Sequence, residues 1–197
     1  SGDDGQDYGE TDDEVRRMLA DQSATPADSQ IIEHFGQPDF DPDTVKQYRN
    51  RFASRAPDHP WLLLDDAPLL TKSSALRRDR ATGLEGATVA GLLMFGRFEA
   101  LRDALPGFHV DYRERLSDDP AVRWTDRVVP DGTWENNLFQ FYVRVMQRLS
   151  GDLKMPFQLD RELYRKDDSA VHEALREAVV NALVHADHRG QGGVVIE

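Results

Sequence analysis

The stretch "TVAGLLMFGRFEALRDALPGFHVDYRERL", Thr88 to Leu116, carries both kinds of regular structure and so decides the fold class. Thr88 is a helix-capping residue type in front of the apolar run "VAGLLMF", which predicts a buried helix. Gly96 breaks that run, and a second helix is expected to end at Pro106. The period then changes. Phe108, Val110 and Tyr112 alternate with His109, Asp111 and Arg113, the pattern of a half-buried strand.

On the N-terminal side, "DPDTVKQYRNRFASR" predicts a helix: Asp41 caps, Pro42 suits the first helical position, and Val45, Tyr48 and Phe52 share one face. "TDDEVRRMLADQ" has capping-box spacing between Thr11 and Glu14 and predicts a short amphipathic helix. "SQIIEHFG" reads as a short strand, and "HPWLLLDDAPLLTKSSALRRD" as a turn followed by one or two short helices. Gly83 and Gly86 punctuate a loop.

On the C-terminal side, "RWTDRVV" is the candidate partner strand and "PDGT" a turn into the helix "WENNLFQFYVRVMQRLSGDL". Its apolar stripe is Leu138, Phe141, Tyr142, Val145 and Leu149. "MPFQLDRELYRKDD" predicts an extended hairpin or two short strands, followed by a helix about 169–187 and a last strand, "GGVVIE". Helices with a minority of mostly local strands make an α+β fold, a helical region with a small mixed or antiparallel sheet.

The chain has 197 residues, no Cys and a formal charge of −12. Residues 1–70 hold 16 acidic and 6 basic groups, so most of the acidity is N-terminal. A net-acidic chain has no general pull on phosphate backbones, and only a local basic run such as "LRRDR" at Leu76–Arg80 could hold nucleic acid. No apolar run reaches the roughly 18 residues of a membrane span, so no membrane contact is expected. The lack of Cys excludes disulfides and thiolate chemistry and fits a cytoplasmic protein. The chain starts without Met, and it stops inside a predicted strand. Both ends suggest a piece of a longer protein.

Within "HEALREAVVNALVHADHRG", His172 to Gly190, the residues Glu173, Glu177, Asn181 and His185 recur every four positions and form a polar stripe on one helix face. Around Glu173 the helix is polar throughout, and a solvated face explains the stripe. Around Asn181 it does not: Val180 and Val184 flank the amide where a solvated face would carry charge. A zinc-protease motif is absent, since "HEALR" has Arg176 where the second His ligand must stand. "HADH" lacks further placed ligands for a metal. Neither a G-x-S-x-G nor a P-loop signature occurs.

"REAVVNALVHA" resembles the N-box of the GHKL (Bergerat-fold) ATPases. Together with "EGATVAGLLMFG" and "FHVDYRERLSDDPAVRWTDRVVPDGTWENNLFQFY", it is similar to a bacterial family of transcriptional regulators related to the C-terminal part of the RecG helicase. Members of that family usually combine a Schlafen-type AlbA-like domain, a middle region, a GHKL-like ATP-binding domain and a winged helix. The resemblance covers roughly residue 12 to the chain end. It implies that Glu177 is the general base and Asn181 the Mg²⁺ ligand, with His185 on the same stripe as a further cofactor-side candidate. An Asn oxygen suits Mg²⁺, a hard cation that keeps several waters, and a Glu one turn earlier can orient the attacking water. Val184 and His185 stand where gyrase-type relatives often carry an acid.

The organisation expected from this resemblance is a disordered tail at 1–10, a helical linker region at 11–82 after an absent N-terminal domain, and an α+β region at 83–197 that opens the ATP-binding domain. The adenine-reading Asp-x-Gly-x-Gly segment and the phosphate lid would lie beyond Glu197. The 197 residues alone are therefore expected to bind no nucleotide tightly at the N-box. The whole protein is expected to use ATP and Mg²⁺ and to reach DNA through other domains, with a homodimer as a further expected partner. The alternative function is a non-catalytic coupling or dimerisation module with a degenerate ATP site.

Overall fold

The computed structural model describes residues 29–152, 181 and 193–197. The stretch Thr88–Leu116 folds as its pattern predicts. Thr88 caps the helix α3 (Val89–Phe95), whose seven residues are all buried. Its hydroxyl accepts from the Gly91 N–H (3.0 Å) and donates to the Ser74 carbonyl (2.8 Å), tying the helix start to the preceding segment. After Gly96 comes α4 (Phe98–Ala104), which ends before Pro106.

Around α3 the other helices pack their apolar stripes. Helix α1 (Pro42–Arg55) is capped by Asp41, which accepts from the Thr44 N–H at 3.1 Å. It buries Val45, Tyr48 and Phe52, and Tyr48 meets Phe95 edge-on at 5.3 Å between ring centroids. A 3-10 turn (Pro60–Leu63) leads to α2 (Asp66–Lys72), which buries Leu69 and Leu70. Helix α5 (Leu138–Asp152) lies against α1 and α3 and buries Leu138, Phe139, Phe141, Tyr142, Val145 and Met146. Each large apolar side chain so buried contributes about 1.5–3 kcal/mol. One apolar core extends from Phe40 to Val194.

Two small sheets complete this α+β fold. Strands β1 (Leu76–Arg78) and β2 (Glu85–Ala87) form an antiparallel hairpin. Its turn is set by Asp79, which accepts from the Ala81 and Thr82 N–H groups, and by Gly83 at φ +72°. The basic run "LRRDR" is thus one arm of a hairpin, with Arg77 and Arg78 exposed. The second sheet is mixed, in the order β4–β3–β5: β3 (Val110–Glu114) runs antiparallel to β4 (Asp126–Val128) and parallel to β5 (Val194–Ile196).

Four details differ from expectation. The end of "HPWLLLDDAPLLTKSSALRRD" and Gly86, expected as short helix and loop, pair as the β1–β2 hairpin. "SQIIEHFG" contributes only a single bridge, Ile31 to Thr88, because His34 at φ +72° turns the chain away. Helix α5 starts at Leu138 rather than at Trp134. The polar side of β3 is not uniformly wet: Asp111 is 5% exposed. The helix expected in "TDDEVRRMLADQ" and the hairpin expected in "MPFQLDRELYRKDD" lie outside the described residues.

Candidate functional site

Where α1, α4 and α5 meet, the sequence buries polar side chains that hydrogen-bond in a closed set. The Thr44 hydroxyl donates to Asp41 Oδ2 (2.5 Å) and accepts from Asn137 Nδ2 (3.1 Å) and Gln140 Nε2 (3.0 Å). Its one proton and both lone pairs are used. Asn137 also donates to the Gly96 carbonyl (3.1 Å), and its Oδ1 accepts from the Gln140 N–H (2.9 Å), which caps α5. Gln140 Oε1 in turn accepts from Arg144 Nη1 at 2.6 Å. The Arg144 guanidinium lies over the Trp134 ring, 4.5 Å from its centroid. Burial pulls the Arg144 pKa below its ordinary value, and the charge of Asp131 opposes that.

This network floors a cleft of about 580 Å³ whose walls include Asp43, Gln47, Glu99, Glu135 and Arg144. Glu135 accepts from the Phe98 N–H at 2.6 Å, at the start of α4. Among the described residues no group of three or more His, Asp or Glu side chains could hold a metal ion. The cleft is a polar junction between three helices.

A second charged centre lies on the mixed sheet. The buried Asp111 carboxylate accepts from Arg127 Nε and Nη2, both at 3.0 Å, and from Arg113 Nε at 2.9 Å. The Arg127 hydrogen bond, with that of Arg113, holds the Asp111 carboxyl below the usual carboxylate range against the upward push of burial. Arg113 and Arg127 are direct cross-strand partners. Like charges in that register repel, and the carboxylate between them offsets it.

Of the residues singled out in the sequence, Asn181 is helical and exposed. Glu177 and His185 lie outside the described residues. The strand that follows them, β5, pairs with β3 through Val194 opposite Val110. Sequence reasoning missed Asn137 and Asp111. For Asn137 a signal was present, a capping residue type immediately before the apolar run at Leu138. For Asp111 none was, because its partner Arg127 is fixed only by the strand register.

A family model described as "Domain of unknown function (DUF8451)" matches residues 16–111, a little under half of the chain. No curated protein and no solved structure matches. Among the described residues no helix is long and apolar enough to cross a membrane.

Proposed function

We propose that this chain is the middle region and the opening of a GHKL-like ATP-binding domain in a cytoplasmic, DNA-binding transcriptional regulator. The observation that carries this reading is the setting of Asn181. Its amide is exposed on a helix although Val180 and Val184 flank it in sequence. The strand after it in the chain, β5, joins β3 in parallel. An exposed amide oxygen fits Mg²⁺, which takes one or two protein ligands and fills its remaining positions with water and phosphate oxygens.

In this proposal Asn181 holds the cation that accompanies ATP, which when bound supplies charge neutralisation on the phosphates. Glu177, one turn earlier on the helix, takes a proton from the attacking water. The packed core from Phe40 to Val194 holds the sheet on which β5 ends. The test is calorimetric: in the protein as its gene encodes it, Asn181→Ala weakens Mg²⁺-ATP binding sharply, while Glu177→Ala spares binding and slows hydrolysis. Equal ATP affinity of wild type and Asn181→Ala contradicts the proposal.

A second reading, a coupling module that binds nucleotide without cleaving it, is favoured by Val184 and His185 at positions where an acid often stands. It predicts ATP binding with no turnover above background.

A further inference from the structure

Strand β3 carries Asp111 and Arg113 two residues apart, hence on one face of the sheet, and Arg115 follows at the same spacing just past the strand end. Opposite them, β4 carries Arg127, and the connecting segment brings in Arg123 and Trp124. Together they line a pocket of about 600 Å³, with Arg113, Arg115, Arg123, Arg127 and Trp124 facing a single acid, Glu197. That volume is in the range of pockets for small ligands.

The four guanidiniums are not equivalent. Arg127 and Arg113 are held by Asp111, and Arg113 Nη1 also reaches Glu197 at 3.4 Å. Arg115 and Arg123 have no ion pair or hydrogen bond among the described residues. Two fixed and two uncommitted guanidiniums stand against Glu197 in the lining and Asp111 behind Arg113 and Arg127, which leaves the pocket positive in a chain of charge −12. Nearby acids are engaged elsewhere: Glu114 accepts from Thr125, Asp119 from the Ala121 N–H, and Asp126 pairs with Arg148. Asp118 is exposed and does not line the pocket.

Trp124 is 37% exposed, and the Arg127 guanidinium lies 4.8 Å from its ring centroid. A planar fork of donors matches a phosphate, and an exposed indole matches a flat ring. A polynucleotide would meet the repulsion of the whole acidic chain along its length, whereas a monophosphate brings little charge to a locally positive site.

We propose that the pocket between β3 and β4 binds a small phosphate ester with a flat ring, of the nucleoside monophosphate class. Arg115 and Arg123 take the phosphate, and Trp124 stacks the ring. This inference does not rest on the N-box reading.

The test is a calorimetric titration of the 197-residue chain with AMP, inorganic phosphate and a short oligothymidylate, in EDTA so that no Mg²⁺-dependent site contributes. AMP binds saturably, and the Arg115→Ala/Arg123→Ala double variant binds it at least about tenfold more weakly, the loss of charged hydrogen bonds. That variant keeps the wild-type circular dichroism, since neither arginine holds another group. Trp124→Ala weakens AMP but not inorganic phosphate, and Asn181→Ala changes neither. Absence of saturable AMP binding, or a double variant that binds like wild type, overturns the proposal. So does an oligothymidylate that binds more tightly than AMP.

Discussion

Replacing Asn137 with alanine removes three hydrogen bonds from a side chain with no exposed surface. The cap on α5 is lost with the bond from the Gln140 N–H. The Gln140 N–H and the Gly96 carbonyl are left buried without this partner, at about 1–3 kcal/mol each. The two losses total roughly 2–6 kcal/mol, which for a chain of this size lowers the melting temperature by about 10 °C. The neighbouring Asn136 supplies the control. It is nearly as buried, but its Oδ1 has no partner among the described residues. Asn136→Ala removes an unsatisfied polar atom and costs about 1 kcal/mol or less. Thermal unfolding followed by circular dichroism measures both. Equal losses for the two variants would refute the hydrogen-bond account of the junction, because burial alone would then explain them.

Asp111 makes stability depend on pH in a defined direction. Its folded pKa lies below its unfolded value of about 3.9, so its contribution is complete above that value and fades as pH falls through the folded pKa. Asp111→Asn therefore costs about 2–3 kcal/mol at neutral pH, and the gap to wild type in urea unfolding narrows below about pH 4. A gap independent of pH would remove the carboxylate from the account. Gly91→Ala places a Cβ against the Ala75 carbonyl and 2.8 Å from the Ala75 Cα. It lowers stability by about 2 kcal/mol despite the better helix propensity of alanine, and a neutral outcome in the same assay would contradict the close packing.

The elements that local chemistry determines were legible in the sequence. Asp41 with Pro42, and Thr88 before its apolar run, announce α1 and α3. The alternation at Phe108–Tyr112 announces β3, and the pairings with "RWTDRVV" and "GGVVIE" complete the mixed sheet. What stayed hidden depends on contacts distant in the chain. Asp111 looks like any solvent-facing strand residue until the register sets Arg127 beside it. Asn137 shows its capping type before Leu138, but its partners Thr44 and the Gly96 carbonyl are set only by the packing. Ile31 and Ile32 have strand propensity, but the turn at His34 overrides it. Of the candidate ATP site, the helical state and exposure of Asn181 are described, and the Glu177 and His185 positions rest on sequence alone.

The most direct test of the central claim is the Mg²⁺-ATP affinity of the protein as its gene encodes it, by calorimetry, for wild type, Asn181→Ala and Glu177→Ala. Loss of even an outer partner of a bound metal costs roughly 10–100-fold, so Asn181→Ala is expected to weaken ATP by at least about tenfold, with Glu177→Ala close to wild type. An Asn181→Ala variant that binds Mg²⁺-ATP as wild type does would contradict the claim.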